Sequence, residues 1–170
     1  SKAQNDLISS AAGTNTVTLS DAGATTGHAQ VETYVLAAAG NSTLTLGDAA
    51  QSVTTGGNGD DTINVSTLTA TGTFNTSAGD TISLGNGANI SGVNGEGDGT
   101  GAVLDATKLT LASGASVTMT AAQNNGFSST ITADGSETVT LSDANNATGR
   151  SNIEAYVLAN GNQTFTLGVA

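Results

Sequence analysis

The chain has 170 residues, enough for one domain with its own core, and its 14 acidic against 3 basic residues leave a net charge of −11. Such a surface repels nucleic acid and anionic lipid and attracts cations. Cysteine is absent, which excludes disulfides, thiol chemistry and cysteine-held metals, and no apolar run is long enough to insert into a membrane.

Only 10% of the residues are charged and 3% aromatic, and no proline occurs. Thr, Val and Ile separated by Gly, Asn and Asp favour short strands and turns over a helical bundle. Residues 1–15 read as a lead-in strand or a partly ordered end. Residues 16–47 then form the first copy of an internal repeat. Val17, Leu19 and Asp21 recur as Val139, Leu141 and Asp143. The block Val31-Glu32-Thr33-Tyr34-Val35-Leu36-Ala37 recurs as Ile153-Glu154-Ala155-Tyr156-Val157-Leu158-Ala159, and Thr43-Leu44-Thr45-Leu46-Gly47 as Thr164-Phe165-Thr166-Leu167-Gly168. The second copy, residues 138–168, stops short of a counterpart to the segment after Gly47, so the sequence reads as a single solenoid segment, 1–170, of a longer array. No signal peptide opens it. Residues 28–38 fit both helical and strand spacing, and their strand-like surroundings favour strand.

The section 53–103 is the most regular. Asp61, Thr71, Asp80, Asn89 and Asp98 follow one another at intervals of 10, 9, 9 and 9 residues, and Ile63 and Val65 recur as Ile82 and Leu84, then weakly as Thr100 and Ala102. This pattern predicts an all-β fold, a parallel β-solenoid with about 18 residues per coil, two strands and two turns each. Asp61, Asp80 and Asp98 stack on one edge and Thr71 and Asn89 on the other. Ile63, Val65, Ile82, Leu84, Leu19, Leu44, Leu46, Val139, Leu141 and Leu167 are expected to point inward. Residues 94–101 hold four glycines and read as a loop or as a degraded metal turn with Glu96 and Asp98. Further short strands are expected at 108–111, 116–119, 129–132 and 137–141.

Within the regular section, Gly56-Gly57-Asn58-Gly59-Asp60-Asp61-Thr62-Ile63-Asn64 fits the nonapeptide G-G-x-G-x-D-x-U-x at every fixed position. This segment and the Val-Glu-x-Tyr-Val-Leu block before it resemble the repeats-in-toxin proteins, among them bacterial surface-layer proteins and giant adhesins. The resemblance implies a β-roll or β-helix, type I secretion, a cell-surface or extracellular location and folding with calcium. The implied calcium ligands are Gly57, Gly59, Asp60, Asp61, Asp80 and Asp98, glycines supplying carbonyl oxygens and aspartates hard carboxylates. The turn before Asp80 lacks most of the family's glycines.

Catalysis finds little in the residues. The lone histidine, His28, has Arg150 as its repeat counterpart, and the many serines have no base beside them. Tyr34 and Tyr156 match each other and read as packing residues. Glu32 and Glu154 read as solvated carboxylates or as calcium ligands beside Asp21 and Asp143. The expected role is structural: a calcium-stabilised module of a surface layer, adhesin or filament, self-associating through its solenoid ends. The alternatives are a β-helix that binds or cleaves carbohydrate such as cell-surface polysaccharide, and the secretion and folding module of a toxin or protease.

Overall fold

The computed structural model describes residues 1–9, 12–57, 60–95, 104, 106, 108–127 and 130–168. The chain opens with a short helix, α1 (Lys2–Asn5), followed by β1 (Thr16–Thr18), β2 (Ala24–Thr26), β3 (Thr33–Val35), β4 (Thr43–Thr45) and β5 (Ser52–Thr54). Next come β6 (Thr62–Val65), β7 (Thr73–Asn75), β8 (Thr81–Leu84), β9 (Asn94–Gly95), β10 (Lys108–Leu111) and β11 (Ser116–Met119). A second helix, α2 (Ala121–Gly126), precedes β12 (Thr130–Thr132), β13 (Thr138–Leu141), β14 (Ala147–Thr148), β15 (Ala155–Val157) and β16 (Phe165–Thr166).

Successive strands go to different sheets and pair with the next coil. One sheet runs β1-β3-β5-β7-β9 and the second β2-β4-β6-β8-β10-β12; β11-β13-β15 and β14-β16 form two further sheets, β11 bridging to Asn89 and β14 lying against α2. The pairs are parallel throughout, as a chain winding one way around an axis requires. The result is a β-solenoid of about seven turns, roughly 19 residues apart.

The core is a set of columns. Thr-Ile-Asn-Val of β6 alternates, with Ile63 and Val65 inward and Thr62 and Asn64 outward. Leu44, Ile63, Ile82, Leu109 and Ile131 lie in register along one sheet, and Val65, Leu84 and Leu111 run beside them. Val17, Tyr34, Val53 and Phe74 form the column of the first sheet. Residues 33–35 are therefore strand: with Tyr34 between Val17 and Val53, the sheet outweighs helical spacing. Outward positions are mostly Thr and Ser, whose short side chains suit a half-buried pleated face. Glycine marks corners where coils touch. A Cβ on Gly72 would sit 1.9 Å from the Gln51 carbonyl oxygen, a contact only glycine allows.

The expected strands at 108–111 and 116–119 occupy those spans, that at 137–141 begins one residue later, and that at 129–132 is found over Thr130–Thr132, with Ser129 outside the described residues. The coil of about 18 residues expected for the regular section is close to the step from Thr62 to Thr81, and turns lie roughly 19 residues apart; the step from Thr81 to Lys108 is longer, so the column after Ile82 and Leu84 passes to Leu109 and Leu111. Other expectations need correction. Thr100, Ala102, Glu96 and Asp98 lie outside the described residues. Asn89 bridges to Thr69, two positions from the expected Thr71. Residues 2–5 and 121–126 are helical because Ser1-x-x-Gln4 and Thr120-x-x-Gln123 form reciprocal capping boxes, which satisfy the free N–H groups of a single turn. Leu167 is exposed, whereas its counterpart Leu46 is buried, because among the described residues no coil packs over 165–168.

Ile82 has no exposed surface and sits mid-column. Ile82→Asp is expected to abolish the cooperative melt followed by circular dichroism. An unpaired buried carboxylate costs a large share of a domain stability of about 5–15 kcal/mol. A melt within a few degrees of the parent would show that the column is not the core.

Candidate functional site

The polar groups inside this fold gather at coil corners, where a residue just before a strand has no strand partner for its N–H. Asp61 precedes β6 and Asp80 precedes β8, and both side chains are fully buried. Asp61 accepts the Ser42 N–H on one carboxylate oxygen and the Gly56 N–H on the other, each at 2.7 Å. Asp80 accepts the Asp61 N–H at 2.9 Å on Oδ1, and the Ser77 N–H at 2.7 Å and the Thr55 hydroxyl at 2.6 Å on Oδ2. Ser42, Asp61 and Asp80 thus form a chain in which each acid caps the amide one coil back. Glu32, before β3, repeats the device by accepting the Asn15 N–H, before β1, at 2.7 Å. Glu137, before β13, folds onto its own turn and accepts from the N–H groups of Asp134, Gly135 and Ser136. Hydrogen bonds to a charged acceptor are about twice as strong as neutral ones, and burial heightens the cost of losing them.

Glutamines supply a second device. Gln51 accepts the Gly47 and Asp48 N–H groups on Oε1 at 2.8 and 3.3 Å. Its Nε2 donates to the carbonyls of His28 and Val31, at 2.5 and 2.9 Å, across a turn closed by the Val31 N–H on the His28 carbonyl. Gln123 does the same. Oε1 takes the Thr120 N–H at 2.9 Å, and Nε2 donates to the carbonyls of Ile90 and Val93, at 2.7 and 3.3 Å, across an equivalent turn. Gly27 leaves room for the first clamp, since a Cβ there would stand 2.5 Å from Gln51 Oε1.

A third device pairs Tyr with Asn. Tyr34 accepts the His28 N–H and donates to Asn5 Oδ1, while Asn5 Nδ2 donates to the Thr26 carbonyl. Tyr156, Arg150, Asn124 and Thr148 repeat these bonds. Burial pushes both phenols above their usual range, against the smaller opposing pull of the backbone N–H each accepts. Asp21 and Asp143 accept the Lys2 and Ala121 N–H groups at the two helix starts.

The expected site residues are placed as follows. Asp61 and Asp80 do stack, as the spacing predicts, with their oxygens turned to N–H and O–H donors. Asp60 is exposed and pairs with Lys108 at 3.2 Å. Gly57 is exposed in the turn. Gly59 and Asp98 lie outside the described residues. Among the described residues no three acidic or histidine side chains converge as a metal cage would require. Asp134, in an exposed turn, has its carboxyl lowered to about 2 by hydrogen bonds from Ser113 and then Ser136.

Sequence reasoning missed the clamps. The signal for them is Ala3-Gln4-Asn5 recurring as Ala122-Gln123-Asn124, which extends the repeat to the two helices. No protein-family model, no curated protein and no solved structure matches the chain.

Asp80→Ala leaves the buried Asp61 N–H unpaired and removes one partner each of the part-buried Ser77 N–H and the Thr55 hydroxyl, which keeps the Asn75 carbonyl at 3.3 Å. We expect urea midpoints to report a loss of roughly 1–3 kcal/mol, the cost of one buried unpaired group. Asp60→Asn, which removes only a surface ion pair, should cost less than about 1 kcal/mol. Equal losses would refute the capping role.

Proposed function

We propose that this chain is a structural module, a stiff β-solenoid stalk of a secreted or cell-surface bacterial protein of the surface-layer or adhesin kind. The observation that carries this reading is the employment of its polar and aromatic side chains. Buried Asp and Gln side chains join coil to coil. Tyr34, Phe74 and Phe127 are buried in the core, and Tyr156 and Phe165 pack on each other at 4.9 Å. The cations are taken as well: Lys2 pairs with Asp6, Lys108 with Asp60, and the Arg150 guanidinium donates to the carbonyls of Asn124 and Asn125. A groove that holds sugars draws on such aromatic faces and basic groups, and here they support the solenoid itself. The cysteine-free, acidic composition suits a protein that crosses a membrane unfolded and folds outside. No helix among the described residues is long and apolar enough to cross a membrane.

The calcium-stiffened form of this reading draws on the match of residues 56–64 to the nonapeptide. Its ligand set would have to include Gly59 and Asp98, because the described oxygens of Asp61 and Asp80 already serve N–H and O–H groups.

Two measurements test the proposal. Isothermal titration with cell-surface polysaccharide, and a reducing-end assay on the same material, should show neither binding nor cleavage. A saturable heat or released ends would move the chain to the carbohydrate-active class. In the calcium-stiffened form, melting should rise with excess calcium and fall with chelator, and Asp61→Asn should abolish the rise; unchanged melting would remove the ion and leave the structural reading without it.

A further inference from the structure

Along the second sheet, β2-β4-β6-β8-β10-β12, the outward residues fall into two parallel columns. Thr43, Thr62, Thr81 and Lys108 stand in register in one, and Thr45, Asn64, Ser83, Thr110 and Thr132 in the other. Each of β4, β6, β8 and β10 thus presents a pair, with the residue between turned into the core. Neighbouring strands lie about 4.8 Å apart and alternate residues of one strand about 6.7 Å apart, so the pairs form a rectangular net. Threonine is branched at Cβ and stiff at χ1, and the strand pairing fixes its backbone, so the net is set before anything binds.

The hydroxyls of this net are mostly free. Asn64 Nδ2 donates to Thr45 Oγ1 at 3.3 Å. The side chains of Thr43, Thr62, Thr81 and Thr110 make no hydrogen bond among the described residues, although each is half-buried between its neighbours. The outward positions of β4, β6 and β8 are uncharged, in a chain of net charge −11. The cation of β10, Lys108, turns its Nζ to Asp60 at 3.2 Å.

Size and chemistry select the occupant. The face is roughly 24 Å long and about 12 Å wide, on the order of 300 Å². Each partner in a stable protein interface contributes about 800 Å², so a second copy is a poor occupant. Aromatic rings and unpaired charges, which hold sugars and ions, are missing from the outward positions of β4, β6 and β8. What suits the net is a neutral partner that repeats at its own spacing, so that many weak contacts add in register. Threonine methyls order the first shell of water and the hydroxyls anchor it by hydrogen bonds. The two spacings of the net come close to the oxygen repeats on the prism faces of ordinary ice. We propose that the outward face of the second sheet binds ice, through a layer of ordered water that joins the crystal lattice. The face belongs to the coil geometry, and it stands whether or not the chain serves as a stalk.

Partition into slowly growing ice tests this, with the gap between melting and freezing points of a small crystal as second readout. The parent chain should enter the ice and open such a gap. Thr62→Tyr and Thr81→Lys, which put bulk and a free charge into the middle of the net, should each remove most of the incorporation with the melt of the fold unchanged. Thr54→Tyr, on the first sheet, where Val35 interrupts the outward column, should change nothing. A parent chain that the ice excludes overturns the proposal. So does incorporation that Thr62→Tyr and Thr81→Lys leave intact while melting normally. Binding to crystalline chitin or cellulose that these variants lose, without entry into ice, assigns the face to polysaccharide and overturns it too. Exclusion from ice alone leaves the stalk reading standing, since that reading falls by the polysaccharide titration.

Discussion

In a parallel solenoid the backbone hydrogen bonds run along the axis, from one coil to the next, so a single coil cannot satisfy its own amides. Straight segments solve this by strand pairing. Corners cannot, because the chain turns away and leaves an N–H facing the coil behind it with no carbonyl opposite. The remainder of this structure follows from how those corner amides are filled. Asp61, Asp80 and Glu32 cap the amide one coil back, Gln51 bridges a pair of amides to a pair of carbonyls, and Gln123 bridges one amide to a pair of carbonyls. The 14 acidic residues thus include several whose charge works in the interior rather than on the surface.

The fold was largely legible because its signal is periodic. Ile63 and Ile82 lie one coil apart on the same face, and a strand one residue out of register would turn both to solvent. The spacing of Asp61 and Asp80 likewise foretold that they stack. Their occupation was not legible, since an acid that takes a backbone amide and an acid that takes a cation occupy the same place in a Gly-rich turn. The glutamine clamps were illegible for another reason. Gln4, Gln51 and Gln123 recur at uneven intervals, 47 and 72 residues apart, within Ala-rich stretches that show no alternation. The departure from a fixed period also has a physical cause: once a corner is capped by a side chain, the loop leading to it tolerates insertion. The step from Thr81 to Lys108 can then be longer than the step from Thr62 to Thr81.

This way of holding coils together also bears on function. A side chain committed to a neighbouring coil is withdrawn from chemistry with a ligand, so the interior polar groups argue for a load-carrying role.

Amide hydrogen exchange tests the central claim most directly. The N–H groups of Ser42, Gly56 and Asp61 lie outside the strands and bond to carboxylates rather than carbonyls. The account predicts that they exchange as slowly as the amides of β6 and β8, opening only with the whole domain. Exchange at the rate of exposed turn amides such as Gly40 or Gly161 would contradict it, and would mean that the corners of this solenoid are held by something other than the acids that face them.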